Sequence, residues 1–208
     1  MYKLALTLEP SRFEPPTVYL SRLAARNHSD DLKSFCFDLG ISLGDVSRGV
    51  ESEIRFVETI ANLDAGALSP TTIVKLSSMR YTVGGETLDS QTLNRGEVRI
   101  CPQCILDQLD GSREYWRISR PLHWQLPQVK SCTKHDLSLV SLGSKTNTPA
   151  RFDVVSRIRT HQGELPNLME PRAADTVDRY LTVRAYGEKM VDGQTVSPSQ
   201  PCGDVAKL

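Results

Sequence analysis

Two short cysteine motifs contain the residues of this chain whose types and spacing could bind a metal ion. Cys101 and Cys104 form a C-x-x-C motif, and after 27 intervening residues Cys132 and His135 form a C-x-x-H motif. Two such pairs separated by a loop commonly supply four ligands to one tetrahedral zinc ion. Three thiolates and one imidazole would leave no position for water. We therefore predict one structural zinc ion rather than a hydrolytic centre.

Two alternatives to this site remain open in the sequence. A C-x-x-C motif can be a redox pair, but that role requires a strand-to-helix junction in a βαβ unit, and no α/β pattern follows Cys104. His123 is the rival for the fourth ligand position. It lies in a loop beside Trp124, and the C-x-x-H spacing favours His135.

The cysteine count and the N-terminus indicate the compartment. The chain has five cysteines, an odd number, and its first residues lack the apolar run of a signal peptide. We therefore expect a cytoplasmic protein without disulfides. No apolar run approaches the roughly 18 residues of a membrane span. Cys36 falls in an apolar helical stripe and should be buried, whereas Cys202 is assigned no role.

The charge balance limits the classes of function. The sequence has 25 Lys and Arg against 25 Asp and Glu, so its net charge is zero. A protein that binds nucleic acid mainly through phosphates usually carries net positive charge. Contact with nucleic acid should therefore be local, weak or supported by a partner. The sequence shows no Ser-His-Asp set, nucleotide-binding loop or open metal site, so we predict that the protein is not an enzyme.

The elements that must position these motifs are mostly helical. We predict a mainly α fold with a small zinc ribbon: an N-terminal bundle that resembles a helix-turn-helix, a Cys3His zinc-binding unit and a C-terminal helix. The expected units are a helical domain over 10–80, a zinc ribbon over 97–142, a helical extension over 152–186 and a disordered tail over 187–208. Residues 81–96 should form a loop or short hairpin, and 143–151 a linker.

Periodicity and capping signals place the individual helices. One should begin at the Pro15–Pro16 pair, and a helix marked by Ile54 should end at Gly66. Another should begin at Ser69. We expect that helix to bury Ile73 and Leu76, and a later helix to begin at Pro171 and bury Val177 and Leu181.

Residues 32–50 have the pattern of a helix-turn-helix. An apolar stripe ends at Gly40, whose positive φ would allow a tight turn, and a second short helix would follow from Ser42. The solvent-side positions that would face a DNA groove are Ser42, Asp45, Ser47 and Arg48. Gly44 weakens the second helix and Asp45 repels phosphate, so insertion into DNA stays an open alternative.

Aromatic residues cluster between the two cysteine motifs. Tyr115, Trp116 and Arg117 lie there, followed by Trp124. Large rings can form the small core of a zinc unit, and we favour that interpretation for Trp124. The first three residues could also dock a protein partner or stack on bases, because Trp, Tyr and Arg are common interface anchors.

The order of these motifs resembles the TniQ family of transposition proteins, which includes TnsD-type target selectors. The N-terminal residues that carry the resemblance are Pro16, Leu20, Arg22, Leu23, Ala24, Asn27, Phe35, Leu39 and Gly40. Those of the second half are Arg99, Cys101, Pro102, Cys104, Tyr115, Trp116, Arg117, Trp124, Leu126, Cys132, His135 and 178–181. The sequence departs from the family pattern after Pro16, where Thr17 and Val18 replace an expected glutamate.

The resemblance implies a non-catalytic accessory protein that links a target-recognition element to an AAA+ transposition ATPase, which in turn recruits the transposase. Some members read DNA, and others dock on a guide-RNA complex. The chain stops soon after one zinc ribbon, which favours an adaptor over a DNA reader. The alternative is a transcription regulator with a helix-turn-helix and a zinc ribbon. The sequence leaves open which target is recognised and whether the chain forms a homodimer.

Overall fold

The computed structural model of the chain describes residues 3–144, 148–186, 190–191 and 194–195. Helices predominate there, as predicted. The helices are α1 (Pro16–Arg26), α2 (Leu32–Leu39), α3 (Leu43–Arg48), α4 (Glu51–Ile60), α5 (Pro102–Leu109), α6 (Thr148–Phe152), α7 (Val154–His161) and α8 (Thr176–Tyr186). The strands are β1 (Val74–Lys75), β2 (Arg80–Val83), β3 (Glu86–Asp89), β4 (Glu97–Ile100), β5 (Ser131–Cys132), β6 (Leu137–Ser138), β7 (Val140–Ser144), β8 (Met190–Val191) and β9 (Gln194–Thr195).

The strands form small antiparallel sheets: β1–β2–β3, β4–β7, β5–β6 and β8–β9. The predicted disordered tail lies outside the described residues except for β8 and β9, and Cys202 lies outside them too. Among the residues that are described, no helix combines the length and the apolar character needed to cross a membrane.

Helix α1 lies between two apolar cores. Pro16 at its first position has the φ that a helix needs, and every residue from Pro16 to Ala24 is buried. Val18 packs into the core of the cysteine-bearing half, whereas Leu20 and Leu23 pack into the core shared with α2, α3 and α4. Burial on all sides makes α1 the element that both halves share.

The two short helices predicted in 32–50 are both present. The side chain of Asp31 caps α2 by accepting a hydrogen bond from the backbone N–H of Ser34 at 2.8 Å. Gly40 ends α2 with φ 69°, and the side chain of Ser42 caps α3. Leu32, Phe35 and Cys36 are buried, so the apolar stripe is confirmed, including the burial of Cys36.

The prediction that the next helix runs to Gly66 is wrong. Helix α4 ends at Ile60, and the following loop folds back onto it. The buried carboxylate of Glu58 holds this loop by accepting hydrogen bonds from the backbone N–H groups of Gly66 at 3.0 Å and Leu68 at 2.9 Å. Asn62, whose φ is 57°, ends the helix in a left-handed cap before the chain reaches Gly66, and the N–H of Leu63 donates to the Glu58 carbonyl at 2.9 Å.

The predicted helix from Ser69 is also wrong. Only Ser69–Thr71 form a 3₁₀ turn, after which β1 pairs with β2 and Leu76 is 57% exposed. Residues 71–74 are all β-branched, and such side chains favour extended backbone over helix. Residues 80–89 form a hairpin, one of the two structures expected for the segment 81–96.

The C-terminal helix differs from its prediction in both its start and its buried face. Helix α8 begins at Thr176 rather than Pro171, and Val177 is 49% exposed. Asp178 is buried instead, where it accepts hydrogen bonds from the backbone N–H groups of Lys130 at 2.6 Å and Ser131 at 3.3 Å. A buried carboxylate must be hydrogen-bonded. This requirement determines which face of α8 is buried, in place of the periodic spacing of its apolar residues.

Candidate metal centre

Two local structures bring the four predicted ligands together. Cys101 follows β4 and is the N-cap of α5, which places Cys104 in the first turn of that helix. Cys132 ends β5, and His135 lies in the tight turn that leads to β6. Asp136 closes this turn with φ 47°, and its backbone N–H donates to the carbonyl of Cys132 at 2.9 Å.

The four ligand atoms have the spacing of a tetrahedral site. All lie within 4.8 Å of one another. The Sγ atoms of Cys104 and Cys132 are 3.6 Å apart, and Nδ1 of His135 lies 3.5, 3.2 and 3.7 Å from the Sγ atoms of Cys101, Cys104 and Cys132. Zn–S bonds of about 2.3 Å and Zn–N bonds of about 2.05 Å give tetrahedral edges of about 3.8 and 3.6 Å. The donor set and its geometry therefore fit zinc, whose chemistry here would be structural.

A carboxylate that the sequence analysis missed orients the histidine. Oδ2 of Asp107 lies 3.0 Å from Nε2 of His135 and 2.9 Å from Nζ of Lys134. Gln103 donates to the other oxygen at 2.7 Å. Hydrogen bonds from Gln103 and Lys134 lower the pKa of Asp107 to about 2, so the carboxylate is ionised at neutral pH. Metal-ligating histidines commonly have such a partner. In the sequence, the signal for this role was that Asp107 lies three residues after Cys104, which places both residues on α5.

The two alternative interpretations of these residues do not fit the structure. Cys101 does lie at a strand-to-helix junction, but β4 pairs antiparallel with β7, and the described structure shows no βαβ unit around it. His123 is not part of the cluster. Burial lowers the pKa of His123 to about 4, so its imidazole is neutral at neutral pH.

Two arginines, Arg120 buried and Arg99 half-buried, hold the loop between the two motifs. The Arg99 guanidinium donates to the carbonyls of Leu126, at 3.0 Å, and Val129. Nε of Arg120 donates at 3.0 Å to the carbonyl of Arg99. Trp124 is 4% exposed, as its predicted core role requires. The loop is therefore packed against β4 rather than projecting into solvent.

Tyr115, Trp116 and Arg117 form a 3₁₀ turn against α1. The Trp116 carbonyl accepts a hydrogen bond from Nε of Arg22 at 2.8 Å, and the Tyr115 hydroxyl donates to Gln162. Arg117 is exposed and forms an ion pair with Glu114 at 2.5 Å. The Trp116 carbonyl and the Tyr115 hydroxyl thus attach the turn to the protein, and Arg117 points its charge toward solvent.

The three candidate DNA-binding residues lie on or beside α3. Ser42 is exposed, and the Ser47 hydroxyl donates to the Gly44 carbonyl at 2.8 Å. Arg48 pairs with Asp45 at 2.5 Å. That pair reduces the positive charge available for a phosphate.

We expect purified protein to contain about one zinc ion per chain, because four ligands complete one tetrahedral shell. Cys132→Ser should lose the metal, as measured by elemental analysis. Cys36→Ser is the matched control, since Cys36 is buried outside the cluster and should leave zinc content unchanged. Full zinc occupancy in Cys132→Ser would contradict the assignment.

Asp107→Asn should weaken zinc affinity by roughly 10–100-fold, because the neutral amide no longer supports His135. Competition with a chromophoric chelator measures this change. Asp38→Asn makes the same substitution at an exposed site on α2 and should have no effect. Equal affinity in the two variants would show that Asp107 does not support the metal site.

Comparison with known protein families supports the resemblance that the order of these motifs indicated. No curated protein matches the sequence. The model of the TniQ family matches residues 5–139, which span α1 to α5 and all four cluster residues. The chain therefore belongs to the TniQ family, whose members are associated with transposition.

Proposed function

We propose that this protein is a non-catalytic transposition accessory protein that links a target-recognition element to an AAA+ transposition ATPase. The observation that supports this most directly is family membership, which covers both the N-terminal helices and the Cys3His cluster. The target-recognition element would be DNA or a guide-RNA complex, and the ATPase would recruit the transposase.

A structural zinc ion suits an adaptor. Cys101, Cys104, Cys132 and His135 would fill the coordination shell, so the ion would offer no position to a substrate or an activated water. Its role would be to hold together the two ends of the loop that carries residues 115–117. Structural zinc binding typically contributes about 10–16 kcal/mol in small peptides, enough to order such a loop.

The turn 115–117 supports a protein-docking role. Hydrogen bonds fix the Trp116 carbonyl and the Tyr115 hydroxyl, so the turn has little conformational freedom to lose on binding. Arg117 presents an exposed guanidinium from this rigid base, and rim charges of this kind give orientation and partner choice. We propose that the ATPase contacts this turn.

Direct DNA reading is the second candidate function, and the arrangement of α2 and α3 favours it. Gly40 and Ser42 make the tight turn between the two helices. Helix α3 spans only six residues, however, and its Arg48 is paired with Asp45. Ser42, Ser47 and Arg48 would then contribute few phosphate contacts, which supports an adaptor over an independent regulator.

The isolated protein should bind duplex DNA only weakly, at micromolar affinity or worse at physiological salt, because few counterions would be released. Titration of labelled duplexes over a range of salt concentrations measures this. Nanomolar, sequence-selective binding by the free protein would instead support the regulator.

Arg117→Glu should weaken co-purification with the cognate ATPase and reduce targeted insertion, because it reverses the charge at the proposed contact. Arg55→Glu is the matched control: Arg55 is also exposed and paired with a glutamate within one helical turn. Both variants should keep zinc content and thermal stability near wild type. Normal co-purification and insertion in Arg117→Glu would exclude this turn as the docking surface.

A further inference from the structure

A cleft of about 430 Å³ lies between the C-terminal end of α1, the segment 113–116 and α7. Three arginines from distant parts of the sequence line it: Arg26, Arg113 and Arg159. We call this cavity the arginine cleft. Its acidic lining residues are Asp30 and Glu114, of which Glu114 is paired with Arg117. Positive charge therefore exceeds negative charge in the cleft.

The cleft arginines differ from the buried arginines of the protein in how they are held. The Arg26 guanidinium lies 4.5 Å from the centre of the Trp116 ring, and that of Arg159 lies 5.0 Å from the centre of the Tyr115 ring. Within the part of the chain that the structure describes, the side chains of these two arginines and of Arg113 form no hydrogen bond or ion pair. Nε of Arg26 has no hydrogen-bond partner in the described structure, although it is shielded from solvent.

Stacking on a ring prepares a guanidinium to bind an anion. The ring holds the planar group in place, and its N–H edge stays available for two parallel hydrogen bonds. A carboxylate matches that fork, and charge-assisted pairs of this kind are stronger than neutral hydrogen bonds. The terminal N–H groups of Arg26 form no internal hydrogen bond in the described structure, so they remain available to such a ligand.

The cleft suits a carboxylate better than a nucleic acid strand. Single strands bind by stacking bases on open aromatic faces, but Arg26 and Arg117 both lie over the Trp116 ring and Arg159 lies over Tyr115. Asp30 would also repel a phosphate backbone, whose charges are regularly spaced, whereas a peptide can place a neutral residue there.

We propose that the arginine cleft binds an acidic peptide segment of a partner protein, with carboxylates paired to Arg26 and Arg159 and a further one near Arg113. This deepens the docking role of the turn 115–117. It rests on the proposed function only for the identity of the protein that supplies the segment.

A fluorescein-labelled oligoglutamate peptide is the probe, and fluorescence anisotropy with the purified full chain is the measurement. Wild type should bind it, and Arg26→Gln should raise Kd about tenfold, as loss of a charged hydrogen bond does. Arg113→Gln should raise Kd about threefold, because Arg113 is exposed and screened. Arg113→Gln removes no internal contact, so it carries the test if Arg26→Gln does not fold.

Arg80→Gln removes the same charge from an exposed position on β2 and should bind the peptide as wild type does. No binding by wild type, or equal Kd values for Arg113→Gln and Arg80→Gln, would overturn the proposal. Displacement of the peptide by a single-stranded oligothymidylate at lower concentration would also overturn it, in favour of a nucleic acid site. The assay contains no ATPase, so intact peptide binding beside failed ATPase co-purification would contradict the proposed function alone.

Discussion

The buried charge of Arg22 constrains the arrangement of the whole molecule. Its guanidinium pairs with Glu14 at 2.5 Å, with side chains 7% and 0% exposed, and also donates to the Ser11 hydroxyl and the Trp116 carbonyl. Removing one partner of a buried ion pair typically costs about 3–5 kcal/mol. The N-terminal segment, α1 and the turn 115–117 must therefore meet in one geometry. This contact aligns the turn with the helix that both cores share.

Buried carboxylates fix other elements in the same way. Asp153 accepts hydrogen bonds from the Ser21 hydroxyl and from the backbone N–H groups of Leu32 and Ser156, at 2.9, 2.9 and 3.1 Å. It thereby joins α1, α2 and α7 at one point. Asp178 joins α8 to the start of β5, one residue before Cys132. Apolar burial supplies most of the stability of such a fold, but these directional contacts determine which helices are neighbours.

The arginine cleft is a consequence of this arrangement, and the candidate metal centre lies at the base of the same loop. The Cys3His cluster brings both ends of the loop 105–131 close together, and Arg120 and Trp124 hold its middle. The turn 115–117 is thus supported from inside the loop and from α1. Arg26 and Arg159 reach the cleft only because α1 and α7 both pack beside that turn. A rigid, positively charged surface is a suitable base for recognising another protein.

Local features of the sequence were sufficient to predict the residues of the Cys3His cluster and the helices α2 and α3. The C-x-x-C spacing of Cys101 and Cys104 and the C-x-x-H spacing of Cys132 and His135 are each local, as are the helix caps at Gly40 and Ser42. Short-range geometry is therefore enough to recognise them. Long-range contacts determined the rest. Asp178 determined the buried face of α8 through its hydrogen bonds to Lys130 and Ser131, and Arg26 contacts Trp116 across ninety positions of sequence. Periodicity records which side chains are apolar, whereas a buried polar group takes its partner from wherever the folded chain places one, and only the tertiary structure reveals that pairing.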